Sequence, residues 1–198
     1  MACNNQKIDD DDDEQCGLII LGNSGVGKSF LANVLVGQEV FTHKFSSRSV
    51  THNTEFKDVK LGELPLTIFN IPGLIEADQE RINLNKQEID KAFALRPTSI
   101  VMFVFGQQGG RICDEDVVAF NAINAAYPFQ FGSLVLVVNG LPKDRPANYE
   151  GRTFRVLQKL LIGVHVDNNN LCFIDQIDRN SQNERQYLKE KLLQVSFN

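Results

Sequence analysis

The sequence has 198 residues, 42% hydrophobic and 23% charged, which suits one α/β domain with a substantial core and leaves little room for a second. Such a composition argues against a disordered, collagenous or disulfide-stapled chain. The formal net charge is −5, but Asp9 to Glu14 form one run of six acids, and without them the remainder carries +1. No basic footprint for nucleic acid is present.

Met1 to Gln15 reads as a solvated, disordered acidic tail, and residues 16–198 as a single domain. Beyond the tail, apolar strands alternate with amphipathic helices, the pattern of a mostly parallel sheet covered by helices. Leu18 to Leu21 is a short buried strand that runs into a glycine loop, and Lys28 to Val36 is a helix ended by Gly37. Phe56 to Leu61 and Leu66 to Asn70 form an antiparallel pair turning at Gly62 to Pro65, with Pro65 expected at a sheet edge. Glu80 to Leu95 is a helix terminated before Pro97, and Ile100 to Phe105 a central strand. A helix over Asp114 to Ala126, capped by Asp114, precedes a buried strand over Leu134 to Val138. Tyr149 to Leu161 is helical, Leu171 to Ile174 is a last strand, and Asn183 to Val195 closes the fold.

The longest apolar runs are far too short to span a bilayer, so no transmembrane segment is expected. The polar, acidic opening does not match a signal peptide, and Ala2 stands where myristoylation needs glycine. Cys3, Cys16, Cys113 and Cys172 lack CxxC spacing and read as reduced thiols of a cytoplasmic protein. His43, His52 and His165 are scattered without the spacing of metal ligands.

The strongest signal is Gly22-Asn23-Ser24-Gly25-Val26-Gly27-Lys28-Ser29, which matches G-x-x-x-x-G-K-[ST] between a strand and a helix. Glycines let backbone N–H groups turn inward around phosphates, and the helix N-terminus adds positive potential. In this motif Lys28 reaches the β- and γ-phosphates and the Ser29 hydroxyl ligates Mg²⁺. A nucleoside-triphosphate site on a three-layer P-loop fold follows, its parallel sheet carrying one antiparallel edge strand.

From Leu18 to Leu161 the chain resembles the G domain of the GTPases of immunity-associated proteins, an avirulence-induced-gene-type branch related to septins. The resemblance is carried by the phosphate loop, by Leu35 to Phe41, by Ser49-Val50-Thr51, by Asn70-Ile71-Pro72-Gly73-Leu74, and by Gly110-Arg111-Ile112 with Asp114-Glu115-Asp116. It implies GTP, GDP and Mg²⁺ as ligands. It makes Thr51 the switch I threonine that completes Mg²⁺ coordination, with Thr54 as the fallback. It gives Gly73 a backbone N–H contact to the γ-phosphate in switch II. Leu74 follows where many small GTPases carry a water-orienting glutamine, so hydrolysis by a lone chain should be slow. The resemblance further implies a homodimer across the nucleotide face, with Arg111 stabilising charge in trans and Gly106, Gly109 and Gly110 freeing its loop to reach the partner.

Two motifs depart from the family pattern. The third G motif opens with Asn70 where the family has Asp, so metal affinity and turnover should both weaken. The guanine motif reads Asn139-Gly140-Leu141-Pro142-Lys143-Asp144: Asn139 fits, whereas Pro142 replaces the expected Asp. Two readings stand: Asp144 swings in as the substitute acceptor for the guanine edge with Lys143 as the substitute cation, or Gly140 and Pro142 build a turn with no base contact; Asp175 is a weaker candidate. The expected function is a guanine-nucleotide switch with slow hydrolysis stimulated by dimerisation. A catalytically impaired, nucleotide-gated scaffold is the alternative, and an ATPase a third reading that Pro142 leaves open.

Overall fold

The computed structural model describes residues 16–41, 54–61, 64–73 and 79–197. The predicted tail, Thr51, Leu74, His43 and His52 lie outside these residues.

In chain order the elements are β1 (Cys16–Leu21), α1 (Lys28–Val36), β2 (Glu55–Leu61), β3 (Leu64–Asn70), α2 (Gln79–Leu95) and β4 (Ser99–Phe105). A small hairpin, β5 (Gln107–Gln108) and β6 (Arg111–Ile112), leads into α3 (Asp114–Ala126). Then follow β7 (Leu134–Leu141), α4 (Tyr149–Leu160), β8 (Leu171–Asp175) and α5 (Gln182–Phe197). Six strands form one sheet in the order β2-β3-β1-β4-β7-β8, parallel throughout except for β2 at one edge.

The strands are apolar on both faces because helices cover both. Leu18 and Ile20 of β1, with Met102 and Val104 of β4, meet Phe30 and Leu31 of α1 and Leu188 and Leu192 of α5. The alternate residues Ile19, Leu21, Phe103 and Phe105 face Ile89 of α2, Val117 and Phe120 of α3, and Leu157 of α4. Phe103 and Phe120 meet edge-on at 4.9 Å, which locks α3 to the centre of the sheet. The three layers and the antiparallel edge strand are those expected from the sequence.

Three local expectations need correction. β3 is an interior strand, and Pro65 is tolerated there because pairing with β1 begins only at Leu66, opposite Cys16. At Pro65 the strand meets β2 alone, through Lys60, so its missing N–H interrupts no ladder to β1. Asp114 is the first helical residue of α3 rather than its cap; Cys113 holds the cap position in extended geometry without a side-chain cap bond. The segment around Arg111 is an ordered hairpin rather than a free loop. Gly109 and Gly110 both adopt positive φ, at 57° and 76°, the two-residue turn whose twist matches paired strands.

Candidate functional site

The C-terminal end of β1 enters the phosphate loop at Gly22, and the loop feeds directly into α1. Gly27 caps α1 in the left-handed region, at φ 100°, and a Cβ there would come within 2.5 Å of Asn139 Nδ2. Glycine is therefore required on two counts. No side chain caps α1, so its first N–H groups are left for an anion.

Lys28 is only 8% exposed, and its Nζ donates to the Asn23 carbonyl at 3.0 Å. Desolvation pushes its ammonium down to about 8, against the raising effect of Asp116. A buried cation facing uncapped N–H groups fits the polyanionic phosphates of a nucleotide, whose charge would offset the desolvation. Gly73 packs so tightly on the loop that a Cβ would lie 2.8 Å from Ser24 N, which sets the end of the β3 segment against the phosphate loop.

Ser29 and Asn70 meet at the head of the cradle. Asn70 is fully buried, and its Nδ2 donates to Ser29 Oγ at 3.1 Å, while its Oδ1 has no hydrogen-bond partner. A buried, unpaired oxygen beside the Ser29 hydroxyl matches the oxygen donor set that Mg²⁺ or its bound water requires. The residues present therefore fit the cation. Thr54, the fallback switch threonine, is half-buried beside Glu88 of α2.

Two supports of the loop were not assigned roles from sequence. Asp116, 2% exposed in the first turn of α3, accepts from Asn23 Nδ2 at 2.7 Å and from the Gly106 N–H at 2.6 Å. Burial raises its carboxyl above the ordinary range, although these hydrogen bonds pull the other way. Gln107 donates to the Gly140 carbonyl at 2.9 Å and accepts from the Gly110 N–H at 3.0 Å, so it fastens the Arg111 hairpin to β7. Helical phase was the available signal for Asp116, because it shares the buried stripe of Val117, Phe120 and Ile123. Nothing in the sequence marks Gln107.

Arg111 stands exposed on β6 with no hydrogen bond or ion pair to any described residue. Its strand partner Gln108 lines a cavity of about 450 Å³ that opens between the loop residues Asn23 to Val26, β5 and the acids Glu115 and Asp116. Cys113 also lines this cavity, and burial raises its thiol. Buried Cys172 is pushed up to about 11 by desolvation, an inert thiol in the core.

The base end is built differently. Asn139 Nδ2 donates to the Val26 carbonyl at 2.8 Å, which ties β7 to the phosphate loop. The next residues form a bulge between Val138 and Leu141 in the pairing with β8, with Gly140 at φ 76°. Lys143 pairs with Glu184 of α5 at 3.0 Å. Asp175 forms an ion pair with Arg145, which also donates to the Pro142 carbonyl, so Asp175 is engaged by the loop itself. Asp144 is exposed and unpartnered among the described residues. Elsewhere, Phe41 is in the core, Phe56 lies exposed on β2, and His165 meets the Phe131 ring edge-on. The described residues contain no group of three or more potential metal-binding His, Cys, Asp or Glu side chains, and no helix long and apolar enough to cross a membrane.

Comparison with known proteins agrees with this architecture. The chain is 29% identical over 121 residues to GTPase IMAP family member 8 of Mus musculus, an alignment covering 58% of this chain. It spans between 17% and 20% of the length of the curated relatives it matches. Among solved structures, Toc33 from Arabidopsis thaliana in complex with GDP and Mg²⁺ superposes with a TM-score of 0.62 at 17% identity, over 92% of this chain and 84% of that one. Era of Aquifex aeolicus bound to GDP and AlF₄⁻ gives a TM-score of 0.57 at 17% identity, over 81% and 50%. These likenesses show the fold of P-loop GTPases. The AIG1 family model matches residues 16–140, more than half of the sequence and the whole phosphate cradle, and the chain belongs to the AIG1 family.

Proposed function

We propose that residues 16–198 form one G domain that binds GTP and GDP with Mg²⁺ and acts as a nucleotide switch, slow in hydrolysis alone and stimulated by homodimerisation through the nucleotide face. The observation that carries the reading is the phosphate cradle, where Lys28 is buried beside uncapped N–H groups at the start of α1. Lys28 holds the β- and γ-phosphates, and Ser29 and Thr51 hold the cation. When bound, Mg²⁺ supplies charge neutralisation at the phosphates. Gly73 senses the γ-phosphate through its N–H, Asn139 keeps the base end in register with the cradle, and Asp144 is the acceptor for the guanine edge.

Dimerisation is supported by complementarity on one face. Exposed Arg111 pairs with Gln108, which with Glu115 lines the cavity next to the phosphate loop, and a two-fold axis brings such like patches together. For the chloroplast translocon components Toc33 and Toc159, dimerisation is described as important for GTPase activity. Arg111 reaches across the interface to stabilise charge developing on the partner's nucleotide. The test is GTP turnover per molecule across a wide range of protein concentration, with Arg111→Ala alongside. A rate that climbs with concentration and collapses in the variant supports the switch.

The second reading, a nucleotide-gated scaffold, is favoured by the neutral amide of Asn70 at the head of the cradle. It predicts bound nucleotide with flat, near-zero turnover at every concentration. A competition of GTP against ATP decides base preference.

A further inference from the structure

We propose that Glu55, the first residue of β2, supplies the carboxylate of the cation site in place of the acid missing at Asn70. The proposal rests on the nucleotide-binding reading above and names the residue that makes the Mg²⁺ site work.

Antiparallel pairing sets Glu55 directly opposite Asn70 at the end of β3, beside the cradle. The Asn70 amide has two N–H bonds. One goes to Ser29 Oγ at 3.1 Å, and the other points to Glu55 Oε2 at 3.4 Å. The amide thus bridges the cation-binding hydroxyl and a half-buried carboxylate that forms no ion pair with any described residue. Meanwhile Asn70 Oδ1, fully buried, has no partner. A carboxylate and a serine hydroxyl joined through one amide, with that amide's own oxygen unpartnered, give the head of the cradle an oxygen-rich donor set, the chemistry a small divalent cation selects.

The pairing also explains the amide. An acid at position 70 would face Glu55 across the ladder, and two opposed carboxylates repel. A neutral, donating side chain there orients Glu55 instead. The site keeps one negative charge, moved from β3 to the neighbouring strand.

Glu55→Gln separates charge from structure, because glutamine retains an oxygen that accepts from Asn70. The readout is Mn²⁺ affinity of the protein–GDP complex by electron paramagnetic resonance, with fluorescent GDP binding in EDTA and thermal melting as controls. Glu55→Gln should weaken Mn²⁺ roughly 10-fold or more, with melting and metal-free GDP binding unchanged. Adding Asn70→Asp to Glu55→Gln should restore Mn²⁺ affinity, because the charge returns to β3. Wild-type Mn²⁺ affinity in Glu55→Gln overturns the proposal, and so does a double variant as weak as Glu55→Gln. If the wild-type protein binds no GDP at all, the nucleotide reading falls and takes this proposal with it.

Discussion

The two ends of the candidate nucleotide cleft are built to different standards. At the phosphate end the buried side chains are tied to one another and to the loop: Lys28 to the loop carbonyl, Asp116 to Asn23 and Gly106, and Asn70 to Ser29. At the base end the polar groups are committed to one another or to solvent: Lys143 to Glu184, Arg145 to Asp175 and Glu150, and Asp144 to none of the described residues. Buried, pre-oriented groups give large differential energies, whereas exposed ion pairs contribute about 0–1 kcal/mol. Affinity should therefore reside in the phosphate contacts, with weak discrimination among bases. Asn139 joins the two ends directly, through Val26.

The largest effect expected is on turnover. Arg111→Ala should lower concentration-dependent GTP hydrolysis by about 10³-fold while leaving nucleotide affinity unchanged, as read by steady-state phosphate release beside equilibrium binding. Next is the cradle itself. Lys28→Ala should weaken GTP and GDP by roughly 100-fold, since hydrogen bonds to a charged group contribute about 1.5–3 kcal/mol each. Equilibrium binding of a fluorescent GDP measures it, and a loss under threefold would remove the phosphate end from its leading place in the comparison.

Lys28 also sets a pH dependence. Its free-protein value near 8 lies below the ordinary 10.5, and bound phosphates favour the charged form. Affinity should be flat below about pH 8 and fall up to tenfold per unit above it, because binding then requires proton uptake. Lys28→Arg, which stays charged, should abolish that decline. Stability of the nucleotide-free protein runs the other way: between about 8 and 10.5 the unfolded chain binds more protons, so stability rises with pH across that window.

Asp116→Asn places an amide donor against either Asn23 Nδ2 or the Gly106 N–H. It should cost about 1–3 kcal/mol, seen as a lowered melting temperature with a modest fall in nucleotide affinity. The smallest effect is expected at the base end, where Asp144→Ala should change the ratio of GTP to ATP affinity by less than about threefold. A tenfold change would show that Asp144 reads the base and would place the two ends on an equal footing.

The loop from Gly22 to Ser29, the helix after it, and the alternation of strands and helices were legible because each rests on short-range chemistry. Turn glycines, helical periodicity and buried apolar runs act within a few residues of one another. Legibility failed where a contact depends on register. A turn spanning Gly62 to Pro65 would have set Asn70 opposite Lys57, whereas pairing of Leu61 with Leu64 sets it opposite Glu55. That change exchanges a cation for an acid at the head of the cradle. Arg111 shows the same limit, since its two flanking glycines read equally as a loose loop until their positive φ angles and the Gln108–Arg111 pairing define a hairpin.

What the sequence determined by itself was the phosphate chemistry and the layered α/β fold, because both follow from residue types at fixed spacing. The tertiary structure alone decided which acids serve the cradle. Asp116 lies 93 residues from Asn23 and Glu55 lies 15 from Asn70, and only sheet order and strand register bring each pair within hydrogen-bonding distance. The same is true of Lys143 and Asp175: the opposite charges they pair with, on α5 and in the loop before α4, were fixed by packing.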